Sequence, residues 1–299
     1  MRSSELSTME GNLLMRKSIL AMLIALAMIL CAISAMAESD AITEITTGTQ
    51  RDFDGDEITE TLIFTPAEPN EYDEIDGFTI EVGGDSYSVD ETWNLAGTIY
   101  AVNLGGGMYY DPEWSWGTLF LVPEYGMSDD PYTYCYLYTN GRLFDVGAIP
   151  ALPDAMTADA DGRITCSIHA SHIGTWNRFA EYKLATGYSW GDGDYEEYHY
   201  IAEVPQDVYA MGMIVYLNQA LSLKATRYDD EATVYLEADQ QIILVASDDV
   251  RWLYVSSMDG TAGGWVEFST SDEDYFEMIN VNGAYANLDE VFGDVFYAG

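Results

Sequence analysis

The stretch RDFDGDEITETLIF, residues 51–64, joins a cluster of acidic side chains to an apolar, β-branched run. The acids are Asp52, Asp54, Asp56 and Glu60, and the last of them begins the ETLIFT pattern, which is typical of a β-strand. Carboxylates spaced this closely repel one another when little salt screens them. The stretch therefore predicts an acidic loop that leads directly into a strand and favours a bound cation. The alternative is a solvated acidic turn.

Similar short β patterns, separated by turn signals, continue along most of the chain. Their spacing and their content of Tyr, Val, Ile and Thr predict an all-β protein, either propeller-blade-like or a sandwich in its N-terminal part. The only predicted helix is a short turn over residues 288–292. The predicted strands span residues 60–65, 77–82, 98–104, 117–122, 132–139, 141–147, 162–171, 178–185, 196–204, 232–238, 241–247, 251–257 and 263–268.

The N-terminal segment has the pattern of an export signal. Residues 15–37 read MRKSILAMLIALAMILCAISAMA, in which a basic pair, an unbroken apolar run and an Ala-Met-Ala site follow one another. This order predicts a secretory signal peptide over residues 1–37, with residues 1–14 as an upstream extension and Glu38 as the mature N-terminus. An uncleaved anchor helix is the alternative. Later segments are too polar to span a membrane, so we expect no stable membrane insertion after cleavage.

The charge balance restricts the partners of the protein. The chain of 299 residues has 11 Lys and Arg against 51 Asp and Glu, a net charge of −40. Such a surface repels nucleic acid and anionic membranes, and it attracts divalent cations, basic partners or neutral ligands. Since 48% of the residues are hydrophobic and 13% aromatic, the composition is that of a folded protein with a core rather than a disordered acidic tail.

A break near residues 205–215 divides the predicted strands into domains over residues 38–207 and 210–299. From 220 to 268 the chain resembles a bacterial SH3-like domain, which implies a small antiparallel barrel for the second domain. The physical pattern agrees, because alternating apolar residues are joined by tight turns. The resemblance rests on Leu221 to Lys224 as the opening strand, Trp252 in the hairpin, and Asp259-Gly260-Thr261 followed by Gly264-Trp265-Val266 at the close. We expect residues 210–299 to fold alone around a core that contains Trp252 and Trp265.

The acidic loop has the oxygen spacing of a calcium loop. With Asp52 as the first position, its carboxylates fall at alternating positions, Glu60 follows at the ninth, and the carbonyl of Ile58 occupies the seventh. Glu57 and Ile63 stand where an EF-hand loop requires Gly and Glu, which disfavours an EF-hand.

The pattern Asp-x-Asp-Gly-Asp-x-x-x-Glu, followed directly by a strand, resembles the calcium loops of FG-GAP and VCBS-type repeats in secreted β proteins. The resemblance implies that the ion is structural. It assigns Ca²⁺ to Asp52, Asp54, Asp56 and Glu60 through carboxylates, and to Ile58 through its carbonyl oxygen.

Aromatic side chains cluster in the Gly-rich stretch GGGMYYDPEWSWG, where core packing is less natural than in a strand. Exposed rings of this kind stack on sugars or peptides. Tyr109, Tyr110, Trp114 and Trp116 are therefore candidate ligand-binding residues. The alternative is that they cover the edge of a sheet.

Other motifs receive weaker support. The GYSWG stretch at residues 187–191 matches a hydrolase nucleophile elbow, but a strand rather than a helix is predicted after it. His169 and His172 end a predicted strand and face opposite sides, which disfavours a zinc site. The weaker candidate cation clusters are Asp159 with Asp161, and Asp192 with Asp194 and Glu196.

Two cysteines follow the signal segment, Cys135 and Cys166, and each lies in a predicted strand. In an oxidising compartment neighbouring strands can be bridged, and two buried free thiols are the alternative.

These observations favour a non-enzymatic protein, secreted or at the cell surface, with a structural calcium site and a cell-wall, glycan or protein ligand. The alternative is a carbohydrate-active hydrolase that uses an acidic pair, with the SH3-like unit as a targeting module. With so many carboxylates such a pair stays open, although no spacing singles one out.

Overall fold

The computed structural model describes residues 42–104, 117–126, 131–159, 162–191, 194–270 and 277–295, without the side chains of 190–191 and 194–197. Strands make up 59% of the structure and helices 3%, in curled antiparallel sheets that include a half-barrel. The all-β prediction is confirmed. The predicted signal segment and the aromatic stretch around Tyr109 and Trp114 lie outside the described residues.

Nine strands of the N-terminal part form two sheets, in the orders β2-β3-β4-β5 and β1-β6-β7-β8-β9. Every pairing within them is antiparallel. The strands are β1 (Ile42–Ile45), β2 (Gln50–Arg51), β3 (Glu60–Pro66), β4 (Phe78–Val82), β5 (Asp85–Val89), β6 (Ile99–Leu104), β7 (Gly117–Glu124), β8 (Tyr132–Thr139) and β9 (Arg142–Ile149).

A third sheet follows in chain order and covers the five-stranded sheet from its other side. After a 3₁₀ turn at Pro153–Ala155, its strands pair in the order β10-β11-β12-β13. They are β10 (Met156–Ala158), β11 (Ile164–His169), β12 (Asn177–Gly191) and β13 (Asp194–Glu203).

The five-stranded sheet is buried on both faces, which explains why β7, GTLFLVPE, is largely apolar and has every residue buried. Leu119 and Leu121 pack into the core shared with the sheet β10–β13. Phe120 and Val122 point the other way, into the core shared with the sheet β2–β5. The N-terminal part is therefore three stacked sheets around two hydrophobic cores.

The C-terminal part has a seven-stranded sheet in the order β21-β20-β19-β18-β17-β14-β22 and a hairpin, β15-β16, that lies over β19. The short predicted helix is confirmed as α1 (Leu288–Val291). The strands are β14 (Tyr209–Leu217), β15 (Leu221–Leu223), β16 (Val234–Leu236), β17 (Gln240–Ser247), β18 (Trp252–Ser257), β19 (Gly263–Thr270), β20 (Glu277–Val281), β21 (Ala284–Asn287) and β22 (Phe292–Gly293).

Both tryptophans expected in the core of this part lie only half buried. Leu253 and Val255 alternate with Trp252 along β18 and are fully buried. Val266 likewise fills the core beside Trp265 on β19. The prediction of a Trp252 and Trp265 core is wrong, because the alternation of each strand turns the aliphatic residues inward.

The loop between β11 and β12 packs against the C-terminal part. Ile173, between β11 and β12, is fully buried in the C-terminal core although it belongs to the N-terminal part. The backbone N–H groups of Ser171 and His172 donate to Asp249 at 3.0 Å, and that of Ile173 donates to Glu277. The predicted break at residues 205–215 overlaps the linker between β13 and β14 and most of β14 itself. The division into two domains and the independent folding of residues 210–299 stay predictions.

Candidate metal centre

The acidic loop brings its carboxylates together between β2 and β3. One ligand oxygen from each of Asp52, Asp54, Asp56 and Glu60 lies within 4.8 Å of every other. Asp54 and Glu60 are buried, whereas Asp52 and Asp56 are exposed. The group has the composition of a hard-cation site, because all four donors are carboxylate oxygens.

The loop folds around its own aspartates. The side chain of Asp52 accepts hydrogen bonds from the backbone N–H groups of Gly55 at 2.6 Å and Glu57 at 2.9 Å. Gly55 and Glu57 both have positive φ, of 78° and 68°, which turns the chain tightly enough for both contacts. Asp56 accepts from the N–H of Ile58 at 2.7 Å, an Asx-turn. These bonds use acceptor capacity without filling it, since a carboxylate has about four lone-pair sites.

Phe53 anchors the loop in the core. Its ring is buried and meets Phe120 edge-on, with centroids 5.3 Å apart. Its carbonyl oxygen accepts a bond of 2.7 Å from the Thr118 hydroxyl, and its N–H donates to Glu60 Oε2 at 2.8 Å. The side chains on either side of Phe53 in sequence are thereby held in fixed positions relative to the central sheet.

Asp54 has a buried oxygen that the protein does not satisfy. Its side chain is 7% exposed, and Oδ2 accepts the Gly141 N–H at 2.7 Å from the turn between β8 and β9. Oδ1 is buried without a hydrogen-bond partner. Burying a carboxylate oxygen without a partner costs free energy, so a positive group beside this atom would be stabilising.

The electrostatics of the site follow from burial and crowding. Burial raises the pKa of Glu60, and the carboxylates of Asp54, Asp56 and Asp52 raise it further, against the bond from Phe53 N–H that lowers it. The pKa of Tyr138 rises to about 12, first through burial and then through Glu60 and its acidic neighbours. A cation among these oxygens would favour the ionised form of Glu60.

Gly83 closes one side of the site. Its φ is 62°, and a Cβ there would lie 3.1 Å from Glu60 Cγ and collide with the Tyr138 hydroxyl. A side chain at this position would displace the Tyr138 hydroxyl and press against the Glu60 side chain.

A basic side chain lies beside the loop without satisfying it. The guanidinium carbon of Arg51 stacks 4.6 Å from the centre of the Phe53 ring. Its Nε and Nη2 are buried without hydrogen-bond partners, and burial lowers its pKa. Arg51 therefore covers Phe53 rather than serving as the missing partner of Asp54 Oδ1.

The structure brings together the four predicted carboxylates, and the side chain of Ile58 is exposed beside them. The carbonyl role of Ile58 stays a prediction. Sequence reasoning missed Thr118, Tyr138 and Gly141, which lie 65 to 87 positions from Phe53, Glu60 and Asp54 and carry no local metal signal. Only the Asn-Gly turn at 140–141 stands out in the sequence.

The remaining candidates are located as follows. Tyr109, Tyr110, Trp114, Trp116, Asp161 and Asp192 lie outside the described residues, as do the side chains of Asp194 and Glu196. Among the described residues, the acidic loop is the group of metal-ligand side chains that converges. His172 instead contacts Glu277, with 3.4 Å between Nδ1 and Oε1. Cys135 and Cys166 are buried free thiols.

The GYSWG stretch lies within β12 and is followed by β13, so Ser189 is not on the strand-to-helix turn that a nucleophile elbow requires. Within the described ranges, helices are all too short or too polar to cross a membrane. Comparison with protein-family models, with curated proteins and with solved structures finds no match for this chain.

Proposed function

We propose that the acidic loop holds a structural Ca²⁺ ion in an exported, non-enzymatic binding protein. The observation that carries the calcium proposal is Asp54. One of its oxygens is buried without a partner inside a group of four converging carboxylates. A bound cation would contact this oxygen and remove the free-energy cost of burying it without a partner.

The donor set favours calcium over other common ions. Calcium takes six to eight oxygens at about 2.3 to 2.6 Å, so ligands on opposite sides of the ion lie about 5 Å apart. The 4.8 Å limit of the four carboxylates fits that span. Zinc prefers nitrogen and sulfur ligands, and Mg²⁺ retains several waters in a stricter octahedron. The remaining positions would be filled by the Ile58 carbonyl and by water.

The ion would act on stability rather than in chemistry. Asp54 already connects the loop to the β8–β9 turn through Gly141, and Phe53 connects it to β7 through Phe120 and Thr118. A cation that relieves repulsion among the carboxylates would therefore hold β3 against the central sheet.

The overall architecture supports two finer proposals. The N-terminal part would be a propeller-blade-like or sandwich domain with an FG-GAP/VCBS-like loop. The C-terminal part would be an SH3-like barrel, since Lys224 after β15 pairs with Trp265 on β19 as the opening and closing strands of such a barrel would.

The binding role is supported by charge. A protein with a net charge of −40 would repel nucleic acid and would accept a neutral cell-wall or glycan ligand, or a basic protein. Location outside the cell is supported by the signal pattern of residues 1–37. Intact mass of protein recovered from culture medium tests it: a chain beginning at Glu38 supports export, and a membrane-bound chain with residues 19–37 retained refutes secretion.

Isothermal titration with CaCl₂ tests the calcium site directly. Wild-type protein should bind one ion, and the double variant Asp54→Asn with Asp56→Asn should lose most of the affinity. Asp73→Asn is the matched control, because Asp73 is exposed in a distant loop at a φ of 65° that Asn also tolerates. Equal affinity in wild type and double variant would show that calcium binds the acidic surface in general.

A further inference from the structure

The sheet β10–β13 has one buried face and one open face. Cys166, Ala180 and Leu184 point inward to the core. The alternate positions form the opposite side, which we call the outer sheet face. Its side chains are small, hydroxyl-bearing or aromatic over much of its length. They include Ser167 on β11, Phe179, Lys183 and Gly187 on β12, and Tyr198 and Tyr200 on β13.

Two tyrosine rings lie side by side on this face, tilted toward each other. The ring centroids of Tyr198 and Tyr200 are 5.7 Å apart with an interplanar angle of 32°, and the residues are 49% and 40% exposed. Gly187 lies opposite Tyr198 in the register, and a Cβ there would be 2.8 Å from ring atom Cε1. The ring therefore lies over the glycine on the sheet, and its other side is open to solvent.

A polar notch lies further along the same sheet. Ser167, His169 and Asn177 supply the polar side of a cavity of about 400 Å³, whose other lining residues are Tyr132, Ala155, Ile168 and two prolines. Phe179, which is exposed, follows next on β12 and pairs with Ser167. From Asn177 to Gly187 the strand extends roughly 33 Å at about 3.3 Å per residue. The face is thus long and narrow, with aromatic rings at intervals and hydrogen-bonding groups at one end.

The charge of the face differs from that of the whole protein. Its described side chains include Glu181, which pairs with Arg163 at 3.2 Å, and the exposed base Lys183. Although the chain has a net charge of −40, the charges of the described side chains on this face nearly balance. An uncharged ligand matches it, whereas a polyanion would be repelled by the surrounding field.

We infer that the outer sheet face binds an uncharged polysaccharide chain, with sugar rings stacked on Tyr198 and Tyr200 and hydroxyl groups bonded in the polar notch. Amphipathic rings suit this ligand, because a sugar presents an apolar face and a polar rim. The inference deepens the proposed binding function by giving its ligand class and site, and it is independent of the calcium loop.

Affinity electrophoresis in native gels tests it with the whole protein. The probes are two neutral polymers, hydroxyethylcellulose and galactomannan, with carboxymethylcellulose as the anionic counterpart of the first. Wild-type protein should be retarded by at least one neutral polymer and not by the anionic one. The Tyr198→Ala with Tyr200→Ala variant should bind about tenfold more weakly. Tyr72→Ala, which removes a ring that is 74% exposed elsewhere, should bind as wild type does.

Gly187→Ala supplies a second variant that keeps both rings but pushes Tyr198 off the sheet, and it should also weaken binding. Unchanged thermal unfolding shows that each variant is folded. Retardation of wild type and double variant to the same extent would overturn the site while the binding function survives. No retardation by either neutral polymer, or stronger binding to carboxymethylcellulose, would overturn the ligand class. The calcium titration decides the metal proposal separately.

Discussion

Replacing Asp54 by Asn should have opposite effects on stability without and with calcium. In calcium-free protein, Asp54 Oδ1 is buried without a partner and lies among three other carboxylates. Asn keeps a carbonyl oxygen for the Gly141 N–H, removes one negative charge, and offers an NH₂ group to the neighbouring acids. An unsatisfied buried acceptor costs about 1 to 3 kcal/mol, so the variant should be more stable by about 1 to 2 kcal/mol in EDTA.

With calcium, wild type should be more stable than Asp54→Asn. An ion that binds only the folded protein at a hundredfold excess over its dissociation constant stabilises the wild type by about 2.7 kcal/mol. Asp54→Asn loses one of the two buried carboxylate ligands and should gain little stability from calcium. Wild type should then be the more stable protein by about 1 kcal/mol, the difference between the two effects.

Urea unfolding followed by tryptophan fluorescence, in EDTA and in saturating CaCl₂, measures both free energies. Asp73→Asn controls for the loss of one charge from an acidic protein and should leave the calcium response unchanged. The reasoning fails if Asp54→Asn is less stable than wild type in EDTA, because the buried oxygen would then have a partner. It also fails if calcium stabilises both proteins equally.

Three further predictions follow from the contacts. The pKa of Glu60 is raised, so the Glu60 carboxylate binds a proton more readily in the calcium-free folded protein than in the unfolded chain. The free energy of unfolding should therefore rise as pH falls through the raised pKa toward 4.5. Glu60→Gln should remove that rise in urea unfolding measured at several pH values. Ile173→Ala should cost about 2 to 5 kcal/mol in the same assay, and a loss far below this would mean that Ile173 does not fill the C-terminal core. Cys135 and Cys166 should not react with a thiol reagent in the native protein, and both should react in denaturant. The reason is that burial raises the pKa of both thiols, that of Cys166 to about 12. A fast reaction in the native state would contradict their burial.

The candidate site was predictable to the extent that it is local. Asp52, Asp54, Asp56 and Glu60 converge because they belong to one short loop, so their spacing in sequence already limits their separation in space. The partner of Asp54 could not be predicted in this way. Gly141 lies 87 positions away, and the contact exists only because β3 and the β8–β9 turn meet at the central sheet.

Strands were predictable where alternation or apolar runs are strong, and all of the strands predicted from those patterns are present. Those that were missed have weak patterns. β5 reads DSYSV with no buried residue, and β14 carries a bulge between Ala210 and Met213 that interrupts its alternation. β14 also pairs with β22, more than seventy positions later, which no local pattern encodes.

The sequence by itself determined the all-β class, the acidic loop and the short helix, since each depends on residues that are neighbours along the chain. Only the tertiary structure decided which faces meet. The run GTLFLVPE shows that β7 is largely apolar, but not that two different sheets cover it. The same limit applies to Ile173, a loop residue that packs in a distant core, and to Tyr198, whose ring lies over Gly187 on the neighbouring strand. Side-chain periodicity specifies that a strand has two faces, whereas the surfaces that cover them are chosen by burial of the whole chain.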